Sequence, residues 1–136
     1  MKNLLLASVL MSLILIGCEK EFSAGGGDFP EYSIEGMWVL EDYPNTAYIF
    51  ENDLRYTVYC TSPNCNWDTV TTADAIPNPE SYTFENDTLK IDLGFGNFIS
   101  DYMKFDCGGE VIKREYDTDQ FVRWSRPSYD ISTCAN

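Results

Sequence analysis

The stretches YIFENDLRYTVY (residues 48–59) and YTFENDTLKIDL (82–93) decide the fold. Each alternates apolar with other residues, breaks at Glu-Asn-Asp, and then resumes the alternation. A period of two marks a strand with one buried face. Asn and Asp tolerate positive φ and hydrogen-bond their own backbone, which suits them to tight turns. Glu51-Asn52-Asp53 and Asn86-Asp87 therefore read as two hairpin turns of one architecture. A calcium corner is the competing reading, and it fails on ligand supply. Ca²⁺ takes about six to eight oxygens, and neither turn carries an Asp-x-Asp-x-Asp-Gly ladder.

The same period extends outward from these hairpins. It runs through Trp38 and Leu40, then Leu54, Tyr56 and Val58, then Leu89, Ile91 and Leu93. It continues through Ile99, Met103 and Phe105, then Val111-Ile112, and ends over Phe121 to Trp124. Gly108-Gly109 and Asp117-Thr118-Asp119 supply the later turns, and no window of helical length shows a 3.6-residue period. The spacing predicts an all-β domain over 32–136, an antiparallel up-and-down meander of about eight short strands. Such a meander closes as a barrel or folds over as a sandwich. Its predicted lining is Trp38, Phe50, Tyr56, Phe84, Ile91, Phe105 and Trp124, and in so small a domain these side chains are expected to fill the interior.

One connection breaks the rule of short turns. Residues 61–80 show no periodicity, and loops of that length in compact domains tend to be functional or disordered. The segment is expected at one mouth of the barrel, with Trp67 either packed onto the rim or beside a ligand or partner. Trp38, Tyr56, Trp67 and Trp124 are the candidate ligand-binding residues.

The N-terminus predicts export. Met1-Lys2-Asn3 precedes an uncharged, largely apolar run from Leu4 to Ile16, ending at Gly17-Cys18. This is the build of a secretory signal peptide over 1–17, and the run is shorter than the about 20 residues a membrane-spanning helix needs. Residues 18–31, with Gly25-Gly26-Gly27, read as a flexible tether. Cleavage before Cys18 removes one basic residue, Lys2, and no acidic one, taking the formal charge from −13 to −14. That charge excludes nucleic acid as a partner, because phosphate binding needs basic patches, and it suits a cationic protein. Aromatic residues make up 15% of the chain, against the composition of a disordered acidic segment.

Four further cysteines, Cys60, Cys65, Cys107 and Cys134, are an even number in an exported domain and imply two disulfides with three connectivities. Cys60–Cys65, closing a tight loop, and Cys107–Cys134, pinning the C-terminal tail, is the favoured pairing. The chain has no histidine and no Cys-x-x-Cys. Neither a metal nor a cofactor is therefore expected, and the usual general base of a Ser or Cys triad is missing. Acidic residues are so numerous that no pair stands out as a glycosidase couple. The domain is expected to be non-enzymatic.

Two resemblances sharpen these readings. Leu15-Ile16-Gly17-Cys18 resembles the bacterial lipobox, which implies that Cys18 carries the lipid and becomes the mature N-terminus, anchoring the protein to a membrane. Acidic Glu19 and Glu21 just after it resemble the export signal of surface lipoproteins in the Bacteroidetes, so the outer membrane is implied, facing either the periplasm or the cell surface. Ile34-Glu35-Gly36-Met37-Trp38-Val39-Leu40 resembles the opening Gly-x-Trp strand of lipocalin-like domains. The hairpins are also similar to those of small lipocalin-like lipoproteins of Bacteroidetes, over roughly residues 34–125. The resemblance implies a lipocalin-like barrel in which a late-strand arginine, Arg123 or Arg126, stacks on Trp38. It implies a binding or scaffold role toward a small apolar ligand or a glycan. Lysozyme-inhibitor lipoproteins, which are also small, acidic, disulfide-containing barrels, supply the alternative of an inhibitor of a cationic enzyme.

Overall fold

A computed structural model describes residues 32–62, 65–118 and 120–134. The segments expected as signal peptide (1–17) and tether (18–31), with Cys18, lie outside the described residues. Eight strands follow one another: β1 (Gly36–Leu40), β2 (Thr46–Glu51), β3 (Leu54–Tyr59), β4 (Glu80–Glu85), β5 (Thr88–Gly94), β6 (Asn97–Asp106), β7 (Val111–Asp117) and β8 (Gln120–Ser125). Each pairs antiparallel with the next, and β8 returns to β1 through Leu40↔Trp124, closing an up-and-down barrel. The sandwich alternative is excluded by that closure.

Both Phe-Glu-Asn-Asp stretches are two-residue hairpin turns. Asn52 and Asp53 have φ of 53° and 61°, and Asn86 and Asp87 have 49° and 58°. Positive φ at both central residues gives a turn whose twist matches the flanking strands. The register then follows, with Glu51 opposite Leu54 and Glu85 opposite Thr88. Both turns lie at the end of the barrel where the chain enters β1 and leaves β8, here called the closed end.

The two hairpins differ in which face is apolar. In the second, Phe84 faces Leu89 and Tyr82 faces Ile91, all toward the interior. In the first, Phe50 faces Arg55 and Tyr48 faces Thr57. Residues directly opposite share a face, so Arg55 and Thr57 point inward and Tyr56 and Val58 point outward. The expectation that Tyr56 lines the interior is corrected: it pairs with Ile49 on the outer wall. Arg55 is only 9% exposed. It is satisfied by Glu80 at 3.1 Å and by the Tyr48 ring, whose centroid is 4.6 Å away.

The outer wall of β2 and β3 is nevertheless buried at Ala47, Ile49 and Val58. Its cover is the long connection between β3 and β4. There the Ile76 N–H donates to the Thr57 carbonyl at 2.9 Å, along the part of β3 that β4 leaves unpaired. Val70, Thr71 and Thr72 border a recess with Met37, Ile49 and Glu51. Thr71 and Asp74 cap the 3₁₀ turn at Thr72–Asp74 reciprocally. The expectation of a loop standing at the mouth is corrected, because apolar residues on this wall need a cover and the loop lies against them. Cys60 bonds to Cys65, and Cys107 to Cys134, with Cα separations of 5.9 and 5.7 Å.

The closed end is sealed by the segment entering β1. Trp38, fully buried, donates its indole N–H to the Ile34 carbonyl at 2.7 Å. Arg126 lies over the Trp38 ring with Cζ 3.8 Å from the centroid. It donates to the carbonyls of Glu35 (2.9 Å), Met37 (3.4 Å) and Ser33 (3.3 Å). Its guanidinium passes where a Cβ on Gly36 would stand, and Gly36 has φ +97°. Those two constraints explain the glycine of Gly-x-Trp. Burial pulls the Arg126 pKa below the ordinary arginine value, opposed by Glu110, and arginine stays charged.

Candidate functional site

The inner face changes character along the barrel axis. Toward the closed end and through the middle, Trp38, Phe50, Tyr82, Leu89, Ile91, Met103, Ile112 and Trp124 form one buried cluster. Phe50 meets Tyr82 edge-on at 4.9 Å and lies nearly parallel to Trp124 at 6.3 Å. A filled interior holds there.

Toward the opposite, open end the inward positions include Thr46 on β2, Thr57 and Tyr59 on β3 and Arg114 on β7, the last paired with Asp101 of β6. Shorter or charged side chains leave the mouth unfilled, and a cup of about 410 Å³ results. Small-molecule sites span about 300–1,000 Å³. Leu40, Tyr48, Val122 and Trp124 provide its apolar surface, and Thr46, Tyr43 and Tyr59 bring hydroxyls. Tyr48 meets Trp124 edge-on at 5.2 Å, so two aromatic rings form part of the wall.

Three charged residues border the cup: Asp42, Arg114 and Arg123. Arg114 donates through Nε to Asp101 Oδ2 at 2.8 Å. Arg123 is held by Glu41 through Nε at 2.7 Å and Nη2 at 2.5 Å. That pairing raises the Arg123 pKa, the hydrogen bond to Glu41 being its largest cause. Of the two arginines put forward for stacking on Trp38, Arg126 occupies that position and Arg123 sits at the rim of the cup.

The four candidate ligand-binding residues do not come together. Trp124 lines the cup. Trp38 is sealed at the closed end beneath Arg126, Tyr56 is on the outer wall, and Trp67 belongs to a 3₁₀ turn (Trp67–Thr69) of the β3–β4 connection. Leu40, Tyr43, Thr46, Tyr48, Tyr59, Arg114 and Val122 were not singled out by sequence. The register of the first hairpin was the available signal, since a two-residue turn places Thr46, Tyr48 and Tyr59 on one face.

Two other features have structural explanations. A broader recess of about 610 Å³ lies outside the barrel where Val70–Thr72 meet β1 and β2, and it is the crevice beside the covering loop. Asp106 lies near the Cys107 and Cys134 sulfurs, but both sulfurs are spent in the disulfide. The Asp106 carboxylate accepts from Lys113 at 2.7 Å and from the Cys107 N–H at 2.8 Å. These bonds, Lys113 first, hold its pKa below the usual carboxylate range.

Compared with protein-family models, curated proteins and solved structures, the chain matches none of them.

Proposed function

We propose that this protein is a lipid-anchored, non-enzymatic, lipocalin-like binding module of the bacterial cell envelope, taking a small apolar ligand or a glycan in the open-end cup. The observation that carries the reading is the asymmetry of the barrel. One end is sealed by Trp38 and Arg126, and the other opens on a cup of about 410 Å³ with an aromatic wall. Arg126 over Trp38 supports the lipocalin-like reading. The lipobox-like Leu15–Cys18 supports attachment to the outer membrane through Cys18. Absence of histidine from the sequence supports a role without acid–base chemistry.

The test uses the chain from residue 19 onward, screened by thermal shift against panels of lipids and glycans. A ligand at a hundredfold excess over Kd adds about 2.7 kcal/mol, which raises Tm by roughly 10 °C or more in a domain of this size. Val122→Trp, which fills the cup, should retain the fold and abolish the shift. No shift across both panels, or a shift that survives Val122→Trp, overturns the reading.

A second reading, an acidic module that binds a cationic protein, is favoured by one specific feature. Phe95, at φ +55° in the β5–β6 turn, is fully exposed and flanked by exposed Leu93 and Phe98. An apolar tip on a chain of net charge −13 suits a basic partner with an apolar cleft. Affinity for that partner should fall steeply between about 50 and 500 mM salt and should be lost in Phe95→Ser. A salt-independent complex would exclude it.

A further inference from the structure

We infer that the cup selects an acidic amphipath, a molecule with an apolar or aromatic body and an oxyanion head, and that Arg114 grips the head. The inference rests on the reading of the cup as a ligand site and names the class of molecule it takes. Arg114 is engaged only through Nε, by Asp101, and its two terminal nitrogens have no partner among the described residues. A guanidinium has a second donor edge of two parallel N–H groups, matched to a carboxylate or sulfonate. Asp101, largely buried at 13% side-chain exposure, fixes the orientation of that fork. Arg123, the other arginine at the cup, is clamped by Glu41 and is not offered for this role.

The surroundings give the head a direction. Leu40, Val122, Tyr48 and Trp124 receive the body, and Asp42 on the rim repels an anion from its own side. Because Asp101 already compensates the Arg114 charge, the preference comes from hydrogen-bond geometry more than from net charge. It should be about tenfold, the scale of one charge-assisted bond.

Two fluorescent probes with one body separate the charge from the apolar contact. 8-Anilinonaphthalene-1-sulfonate carries a sulfonate, and N-phenyl-1-naphthylamine lacks it. The chain from residue 19 onward is titrated with each. The inference expects the sulfonate to bind about tenfold tighter, with both probes excluded by Val122→Trp. Arg114→Lys, which keeps the charge and loses the fork, should erase the preference while leaving the neutral probe unchanged. Asp101→Asn, which keeps the Nε acceptor and removes the compensating charge, should enlarge it. A merely structural ion pair would move both variants in the same direction. Equal affinity for the two probes, or a preference untouched by Arg114→Lys, overturns the inference and leaves the cup as a neutral site. Failure of both probes to bind at the cup removes the inference, and the thermal-shift panels then decide the ligand-site reading on their own.

Discussion

Arg126→Met and Arg123→Met remove the same group from positions three residues apart, and the structure predicts unequal costs. Arg126 gives up a cation–π contact at 3.8 Å, one good hydrogen bond to the Glu35 carbonyl at 2.9 Å, and two longer ones. A partly desolvated cation–π contact contributes about 1 kcal/mol, and bonds to a charged donor about 1.5 kcal/mol or more when well formed. Relief of the guanidinium's own burial offsets part of this, leaving a loss of about 2–3 kcal/mol. Arg123 gives up its bidentate pair with Glu41 at a partly exposed rim. Partly exposed pairs contribute about 1 kcal/mol or less, toward the upper end when bidentate. Urea unfolding of the chain from residue 19 onward, followed by tryptophan fluorescence, gives both numbers at constant m. In thermal melts the Arg126 variant should fall by roughly 8–20 °C and the Arg123 variant by a few degrees. Equal losses, or a larger loss for Arg123, would refute the assignment of Arg126 as the lock of the closed end.

Three other perturbations test separate parts of the structure. Val58→Asp places a charge beneath the β3–β4 connection and should cost about 3 kcal/mol or more, whereas Tyr102→Asp on the exposed outer face should stay within about 1 kcal/mol; comparable melts for the two would show that the wall is uncovered. Removing the Cys107–Cys134 bond, with a separation of 27 residues, should cost about 3.6 kcal/mol, against about 2.2 for Cys60–Cys65, with a separation of 5, on chain-entropy grounds; a reversed order in urea unfolding would contradict this. Asp106 has a lowered pKa in the folded state, so its contribution is present above the unfolded value of about 4 and is lost as pH falls through the lower folded value. Wild type should therefore exceed Asp106→Asn in stability at pH 7, and the difference should close on acidification below about pH 4; a constant gap would mean that the carboxylate is not the source.

The strand number and the turns were legible because each rests on local chemistry. Asn-Asp pairs bend the chain wherever they occur, and a period of two announces a strand. A period of two does not say which face is inward. Leu54, Tyr56 and Val58 look from sequence like Leu89, Ile91 and Leu93, yet they follow their turn at odd offsets where the second set follows at even ones. With Phe50 and Phe84 both inward, the same turn sends the two sets to opposite faces. The outward set needs a cover, and Val70–Thr72 and Ile76 of the β3–β4 connection supply it. Reading the register first would have placed Arg55 inside, demanded an acidic partner such as Glu80, and freed the long loop from the mouth.

The cup was illegible for a different reason. Leu40, Thr46, Tyr59, Arg114 and Trp124 come from five strands and share no spacing. They meet only because β8 closes on β1 at Leu40↔Trp124 and because the inner face turns polar above the aromatic cluster. What the sequence did contain was the polarity itself. An inward Arg and Asp cost stability in a barrel meant only to be filled. Arg114 could have been left in water by a shift of one residue in β7, which would also have turned Ile112 out of the core. Its inward position is therefore enforced by Ile112, and Asp101 completes the pair at 2.8 Å. A packing role alone does not require the guanidinium's second edge to stay without a partner among the described residues at the open-end cup, and the proposed ligand head would use it.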